Sequence, residues 1–234
     1  LHAIFNSMNR FLIVILFLFG VLSTKAQIHE IGVFLGGSNF IGDVGPTTYI
    51  APNELALGIL YKWNRSPRHS WRFSYMQSRM TSNDKNSDVP SRVARGYHFV
   101  NNIKEVSAGL EFDFFDFNLH DMEPKFTPYV FSGLSYVLYD GLFFVNGDSK
   151  YDSTHGSLAI PMTVGIKGRI YDNFVIGLEC GTRFTFKDDL DGSRPQNKNL
   201  DNLKFGNINS TDWYVFTGFT LTYTFGNKPC FCTN

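Results

Sequence analysis

The sequence predicts an all-β chain folded as an eight-stranded antiparallel up-and-down transmembrane β-barrel of the outer-membrane type. Three observations lead there: an export signal near the start, eight segments with apolar–polar alternation, and connections that are short and long by turns. The composition agrees. Aromatic residues make up 16% of the 234-residue chain, with 24 Phe, 11 Tyr and 21 Gly; rings pack well on a pleated surface, whereas Gly weakens a helix interior. Lys+Arg and Asp+Glu both number 21, so no basic field exists to attract nucleic acid.

The export signal comes first in the chain. Asn9 and Arg10 precede an apolar run at residues 11–22, which has the length of a signal-peptide core and falls short of the ~20 residues a membrane-spanning helix needs. Thr24, Lys25 and Ala26 then offer small residues at the right offsets for cleavage before Gln27. Residues 1–26 are expected to be a signal peptide, with Met8 as initiator and residues 1–7 as upstream translated sequence. The alternative keeps the apolar run as a membrane anchor. No Cys lies near the cleavage site, which disfavours a lipoprotein. Residues 27–226 are expected to form the barrel and residues 227–234 a periplasmic tail.

Beyond Gln27 no apolar stretch reaches ~18 residues, which excludes a helical membrane protein. Period-two alternation recurs instead. The first strand is expected at residues 31–41, with a less clean facing. In the second, Leu55, Leu57, Ile59, Tyr61 and Trp63 oppose Glu54, Ala56, Gly58 and Lys62, and Leu60 breaks the pattern. In the third, Trp71, Phe73 and Tyr75 oppose Arg72, Ser74 and Ser78. In the fourth, Val106, Ala108, Leu110, Phe112 and Phe114 oppose Glu105, Ser107, Gly109, Glu111 and Asp113. The fifth is expected at residues 127–139. The sixth sets Ile160, Met162, Val164 and Ile166 against Thr163, Gly165, Lys167 and Arg169. The seventh sets Phe174, Ile176, Leu178, Thr182, Phe184 and Phe186 against Gly177, Glu179, Gly181 and Arg183. The eighth sets Trp213, Val215, Phe219, Leu221, Tyr223 and Phe225 against Gly218, Thr220, Thr222 and Thr224.

A soluble β-sandwich alternates too, so the connections decide. Residues 64–69, 115–125 and 171–173 are short links; residues 42–53, 80–102, 140–157 and 187–210 are long polar loops. An up-and-down barrel sorts its connections this way, with short turns in the periplasm and long loops outside. Closure also removes sheet edges and satisfies the backbone without water.

The inward face then carries Arg72, Glu105, Glu111, Asp113, Lys167, Arg169, Glu179 and Arg183. In so narrow a barrel side chains fill the interior, so these charges are expected to pair across the lumen as a structural network. Trp63, Trp71, Tyr75, Trp213 and Tyr223 are candidates for the aromatic girdles.

The search for chemistry yields little. His29, His69, His98, His120 and His155 are scattered rather than spaced like metal ligands. His98 or His155 at a barrel rim could serve an enzyme, but nothing locates a nucleophile beside its base. The expectation is no enzyme and no cofactor. Residues 188–192, Asp-Asp-Leu-Asp-Gly, suggest a calcium loop but lack its ligand spacing and terminal glutamate; a polar turn is the preferred reading, weak calcium binding the remainder. Cys180 falls on an outward position. Cys230 and Cys232 lie in the tail, where a bridge across one residue is strained. Pairing with another chain, idle thiols and a local bridge all stay open.

Residues 30–43, residues 102–106, Pro128-Tyr129-Val130, Gly177-Leu178-Glu179, residues 183–186 and Asp189-Leu190-Asp191 resemble the PorG-like outer-membrane barrels of the type IX secretion system in Bacteroidetes. The resemblance covers most of the mature chain, and the Ala26-Gln27 junction is typical of exported Bacteroidetes proteins. It implies a non-enzymatic protein with termini in the periplasm, associated with a ring built from a PorK-like lipoprotein and PorN-like subunits during protein export and, in some relatives, gliding. It hands over no catalytic residues. The implied partner surface is the periplasmic turns and the tail around Cys230 and Cys232, with outer-membrane lipid as the other partner. Two alternatives stand beside it: a small-molecule or lipophile porter, and an adhesion barrel working through its long loops.

Overall fold

A computed structural model describes residues 28–119, 125–171, 173–207 and 211–226. The expected signal peptide, His120, and the tail with Cys230 and Cys232 lie outside the described residues. Eight strands follow in order: β1 (Ile28–Ile41), β2 (Glu54–Ser66), β3 (His69–Asn83), β4 (His98–Asp113), β5 (Phe126–Val145), β6 (Asp148–Tyr171), β7 (Phe174–Thr185) and β8 (Trp213–Gly226). Each pairs antiparallel with the next, and β8 returns to β1 from Ile28↔Gly226 to Ile41↔Trp213, closing the barrel. Closure leaves no free edge through the ring, which is what lets a sheet cross lipid.

Alternation sets the two faces. On β4, Glu105, Ser107, Glu111 and Asp113 are buried while Val106 and Leu110 are exposed. Outward Ile31, Val33, Leu35, Leu57, Ile59, Val164 and Ile166 are each about half exposed or more, forming the apolar band that faces lipid. Leu60 points inward and is buried; the break on β2 marks an apolar part of the lumen, where Leu60 belongs to one cluster with Phe34, Ala56 and Met76. Two facing glycine pairs, Gly36↔Gly218 and Gly109↔Gly133, mark tight approaches between strands. A Cβ on Gly109 would stand 2.8 Å from the Cα of Gly133, closer than packing allows.

Aromatic side chains border the band. Trp63 and Trp71 are cross-strand neighbours at the end carrying Ile28 and Gly226, and Phe174 meets Tyr223 there at 5.4 Å. At the opposite end Trp213 packs edge-on against Phe184 at 5.1 Å. Tyr75 stands opposite Ile59 and Val106, four residues along β3 from Trp71, inside the apolar band rather than on its border.

The connections depart from expectation in one instructive place. Residues 140–157 are not a polar loop. β5 and β6 continue past the barrel as a hairpin closed by Asn146 and Gly147, with φ 54° and 91°. Asn-Gly favours the tight turn in which both central residues take positive φ. The link expected at residues 80–102 shrinks likewise. β3 runs to Asn83, β4 starts at His98, and between them lie a 3₁₀ turn (Asp84–Asn86) and helix α1 (Pro90–Arg95). Pro90 opens α1 and left-handed Gly96 ends it, the usual asymmetry of helix termini.

An arginine on the lipid face at mid-bilayer costs about 2–4 kcal/mol. In urea unfolding from lipid vesicles, Val164→Arg is expected to lower stability by that amount, while Val164→Ile stays near wild type.

Candidate functional site

Two features could do work: the filled lumen and the packed end where β7 and β8 are joined by the longest connection.

The lumen is built from side chains that β-strand parity sends inward. Glu111 on β4 sits at the centre of one cluster. It accepts hydrogen bonds from the Lys62 ammonium at 2.6 Å and the Lys167 ammonium at 2.7 Å, and Arg72 approaches at 3.5 Å. Lys167 also reaches Asp113 at 2.9 Å. Arg72 forks onto both oxygens of Glu179 at 2.7 and 2.8 Å, a bidentate geometry that fixes the guanidinium plane. Tyr129 donates to the same carboxylate, and Arg72 lies 4.8 Å from the ring centre of Phe131. Further along, Arg183 meets Glu105 at 3.2 Å, and Tyr214 donates to Glu105. Glu30 accepts from Thr222 at 2.6 Å and Asn64 at 2.9 Å. Arg169 donates to the Leu119 carbonyl.

All eight inward charges singled out from the sequence are therefore buried in the lumen. The structure brings Arg72, Glu111, Asp113, Lys167 and Glu179 into one connected cluster, sets Glu105 with Arg183 in another, and places Arg169 apart at the turn end. Lys62 and Glu30 belong with them and were missed as charges. Lys62 was visible on the inward face of β2. Glu30 was hidden because Gly32, Gly36 and Gly37 blur the alternation of β1.

Both mouths are covered. At the end carrying the termini of the described chain, residues 114–119 after β4 bring apolar side chains to the opening. Phe117 and Leu119 are buried against Ile28 and Val175, and Lys167 lies 5.0 Å from the Phe117 ring centre. At the other end, Phe40, Val44, Phe99, Leu142, Phe144 and Leu190 form an apolar cluster, with Tyr97 and Phe205 packed against it. The loops expected to be polar are thus apolar inside. Asp84 ties them together, accepting from Gly45 N–H at 2.8 Å, Tyr97 N–H at 3.0 Å and Arg95 at 2.8 Å.

The histidines remain dispersed. Ser153 Oγ lies 2.9 Å from His155 Nε2, and Asp189 lies 3.4 Å from His155 Nδ1, an arrangement with the outline of a nucleophile–base–acid relay. Residues two apart on a strand share a face, which accounts for the Ser153–His155 contact. The Asp189 contact is an ion-pair approach and not a hydrogen bond, since His155 Nδ1 makes none. His98 is exposed at 3.8 Å from Asp148. Among the described residues no three acidic, histidine or cysteine side chains converge as a metal site. Cys180 is part-exposed, in reach of the Thr217 hydroxyl at 3.4 Å.

Residues 188–192 sit in the cap with Asp43 and Asp212. Burial raises the carboxyl pKa of Asp191, and raises that of Asp212 well above the usual range with the Asp191 charge adding to it. Asp188 is pushed up to about 7 by burial and by the charges of Asp191 and Asp43.

An apolar outer band, aromatic borders and a filled polar lumen define the class: an outer-membrane-type eight-stranded β-barrel. More particularly, the chain matches the family described as "Domain of unknown function (DUF6089)" over residues 9–234 and belongs to it. No curated protein is similar enough to count as a match. Among solved structures, the chain is similar to Ail of Yersinia pestis, determined with the heparin analogue sucrose octasulfate. The two share 11% identity, with a TM-score of 0.44 over 86% of this chain and 100% of that one. Neisserial surface protein A aligns at 10% identity, TM-score 0.46, over 86% of this chain and 98% of that one. AlkL, determined in lipid bilayers, aligns at 11% identity, TM-score 0.43, over 89% and 94%.

Breaking a buried ion pair from one side costs about 3–5 kcal/mol. Glu111→Ala strands the Lys62 ammonium and leaves Lys167 with Asp113 alone, and is expected to fall in that range in urea unfolding. The double variant Arg72→Met/Glu179→Met is expected to lose less than the sum of its two singles.

Proposed function

We propose that this chain is a non-enzymatic component of the type IX secretion system, tying a periplasmic ring of PorK-like lipoprotein and PorN-like subunits to the outer membrane. The observation that carries the reading is the lumen, filled by paired charges and covered at both mouths. A cylinder of this kind offers its partners surfaces, not a passage. The family resemblance in residues 30–43, residues 102–106 and the segments that follow supplies the identity of the machine. In this reading the termini are periplasmic, and the docking surface is the turn end: the β2–β3 turn, the link after β4 and the tail with Cys230 and Cys232. Arg68 on that turn pairs with Asp116 on that link, so the two turns present one joined surface.

The porter alternative needs a continuous lumen and is disfavoured by this packing. The adhesion alternative draws on the opposite end, where Tyr49 and Ile50 are 65% and 58% exposed; loss of surface attachment with export intact would favour it.

Deleting the gene is expected to block export of cargo bearing the system's export signal, and normal export would sink the proposal. In membranes run on a non-reducing gel, an adduct between this chain and a ring lipoprotein is expected to vanish in Cys230→Ser/Cys232→Ser. Monomer alone in wild type would remove the disulfide from the account.

A further inference from the structure

We propose that residues 46–52, in the link between β1 and β2, form a membrane-seated wedge, held on the outer wall of the barrel by Asn39, that buries Tyr49 and Ile50 in the lipid leaflet at the loop end. The inference concerns how the barrel sits in its bilayer, and it stands or falls apart from the secretion reading.

Parity gives the first clue. On β1, Ser38 and Phe40 point inward, Ser38 onto the Ser78 hydroxyl and Phe40 into the apolar cluster. Gly37, Asn39 and Ile41 therefore face outward in the row of Ile31, Val33 and Leu35. Those three are exposed, as lipid-facing residues are, whereas Asn39 is only 3% exposed. The link covers it. Asn39 Nδ2 donates to the carbonyls of Thr48 and Tyr49, both at 3.2 Å, and its Oδ1 accepts from Ala51 N–H at 3.3 Å. Pro52 lies over Gly37, where a Cβ would stand 2.6 Å from the Pro52 Cβ, so the missing side chain makes room for the ring.

Register fixes the depth. Ile41 pairs with Trp213, which marks the aromatic border at this end, and Asn39 and Gly37 pair with Val215 and Thr217 on its membrane side. At roughly 3.3 Å per residue these positions lie about 7 and 13 Å along the strand from Trp213. Strands in such barrels tilt by about 35–45°, so the link reaches about 5–10 Å past the border, the depth at which interfacial segments bury their apolar faces.

The chemistry suits that depth. Residues 44–53 carry no charged side chain, whereas the β3–β4 and β7–β8 links carry both signs. Lipid offers backbone groups no partner. Here Asn39 supplies partners to three of them, Asn53 N–H donates to the Ser38 carbonyl at 3.0 Å, and Pro46 and Pro52 have no N–H to satisfy. Tyr49 and Ile50 are left as the exposed tip, and a tyrosine ring, apolar with a polar edge, belongs at the headgroup boundary. A wedge lying along the wall faces the bilayer around the barrel, so its occupant is lipid rather than a protein arriving from water.

The test uses the full chain in palmitoyl-oleoyl-phosphatidylcholine vesicles, with Cys180, Cys230 and Cys232 replaced by Ser and a nitroxide attached through Ile50→Cys. Labels at Leu57→Cys, on the lipid face, and at Asp201→Cys, in an exposed loop, are the references. Power-saturation EPR reads collisions with oxygen, which concentrates in lipid, and with a nickel chelate, which stays in water. The label at position 50 is expected to meet the chelate several-fold less often than the label at 201, and to side with the label at 57. Adding Asn39→Ala should release the link and raise chelate collisions at position 50 several-fold, with position 57 unchanged. Folding of each variant is read from its gel shift on heating, and the comparison of positions 50, 57 and 201 does not depend on the Asn39 variant. The proposal is overturned if position 50 is as open to the chelate as position 201, the result expected of a tip free for a soluble partner. A label at position 50 that stays in lipid in folded Asn39→Ala overturns it as well.

Discussion

Five cations, Lys62, Arg72, Lys167, Arg169 and Arg183, share the barrel interior with five anions, Glu30, Glu105, Glu111, Asp113 and Glu179, and all are buried. An eight-stranded cylinder is just wide enough to be filled by side chains, so these groups have each other, a few hydroxyls and carbonyls, and the faces of inward rings such as Phe131 and Phe216. Bidentate pairing of Arg72 with Glu179 and the two ammonium groups on Glu111 offset the desolvation that such burial costs. The same network fixes strand register. A slip of one residue would turn these charges to lipid and the apolar band inward.

From that constraint the rest of the molecule follows. The outward band is predominantly apolar because most of the polar residues of the strands are consumed inside. The mouths are covered by Phe117 and Leu119 at one end and by the Phe40–Phe99–Phe144 cluster at the other, which keeps water from competing for the ion pairs. The extended β5–β6 hairpin contributes Leu142 and Phe144 to that cluster, so its length beyond the membrane serves packing.

Much of this was legible in the sequence, and the limits are physical. Period two is read directly on β4, where apolar and polar residues alternate and the single Gly109 falls on the polar face, and there strand, facing and lumen charge are all visible. β1 resists because three glycines carry no facing signal, and Glu30 is lost with it. Residues 140–157 read as a loop because Gly141, Asp148, Ser149 and Gly156 are polar or small and interrupt the alternation on both sides of the Asn146-Gly147 turn. The ends were beyond reach for another reason. The cap joins Val44, Asp84 and Leu190, each from a different connection, with Phe99 of β4, and no local pattern announces that they meet.

The central claim is that paired charges close this barrel, so that it serves by its surfaces. Planar lipid bilayer recording of the purified protein tests it most directly. The account predicts a current indistinguishable from bare lipid across the voltage range the membrane tolerates; stable ohmic conductance steps in the unmodified protein would contradict it.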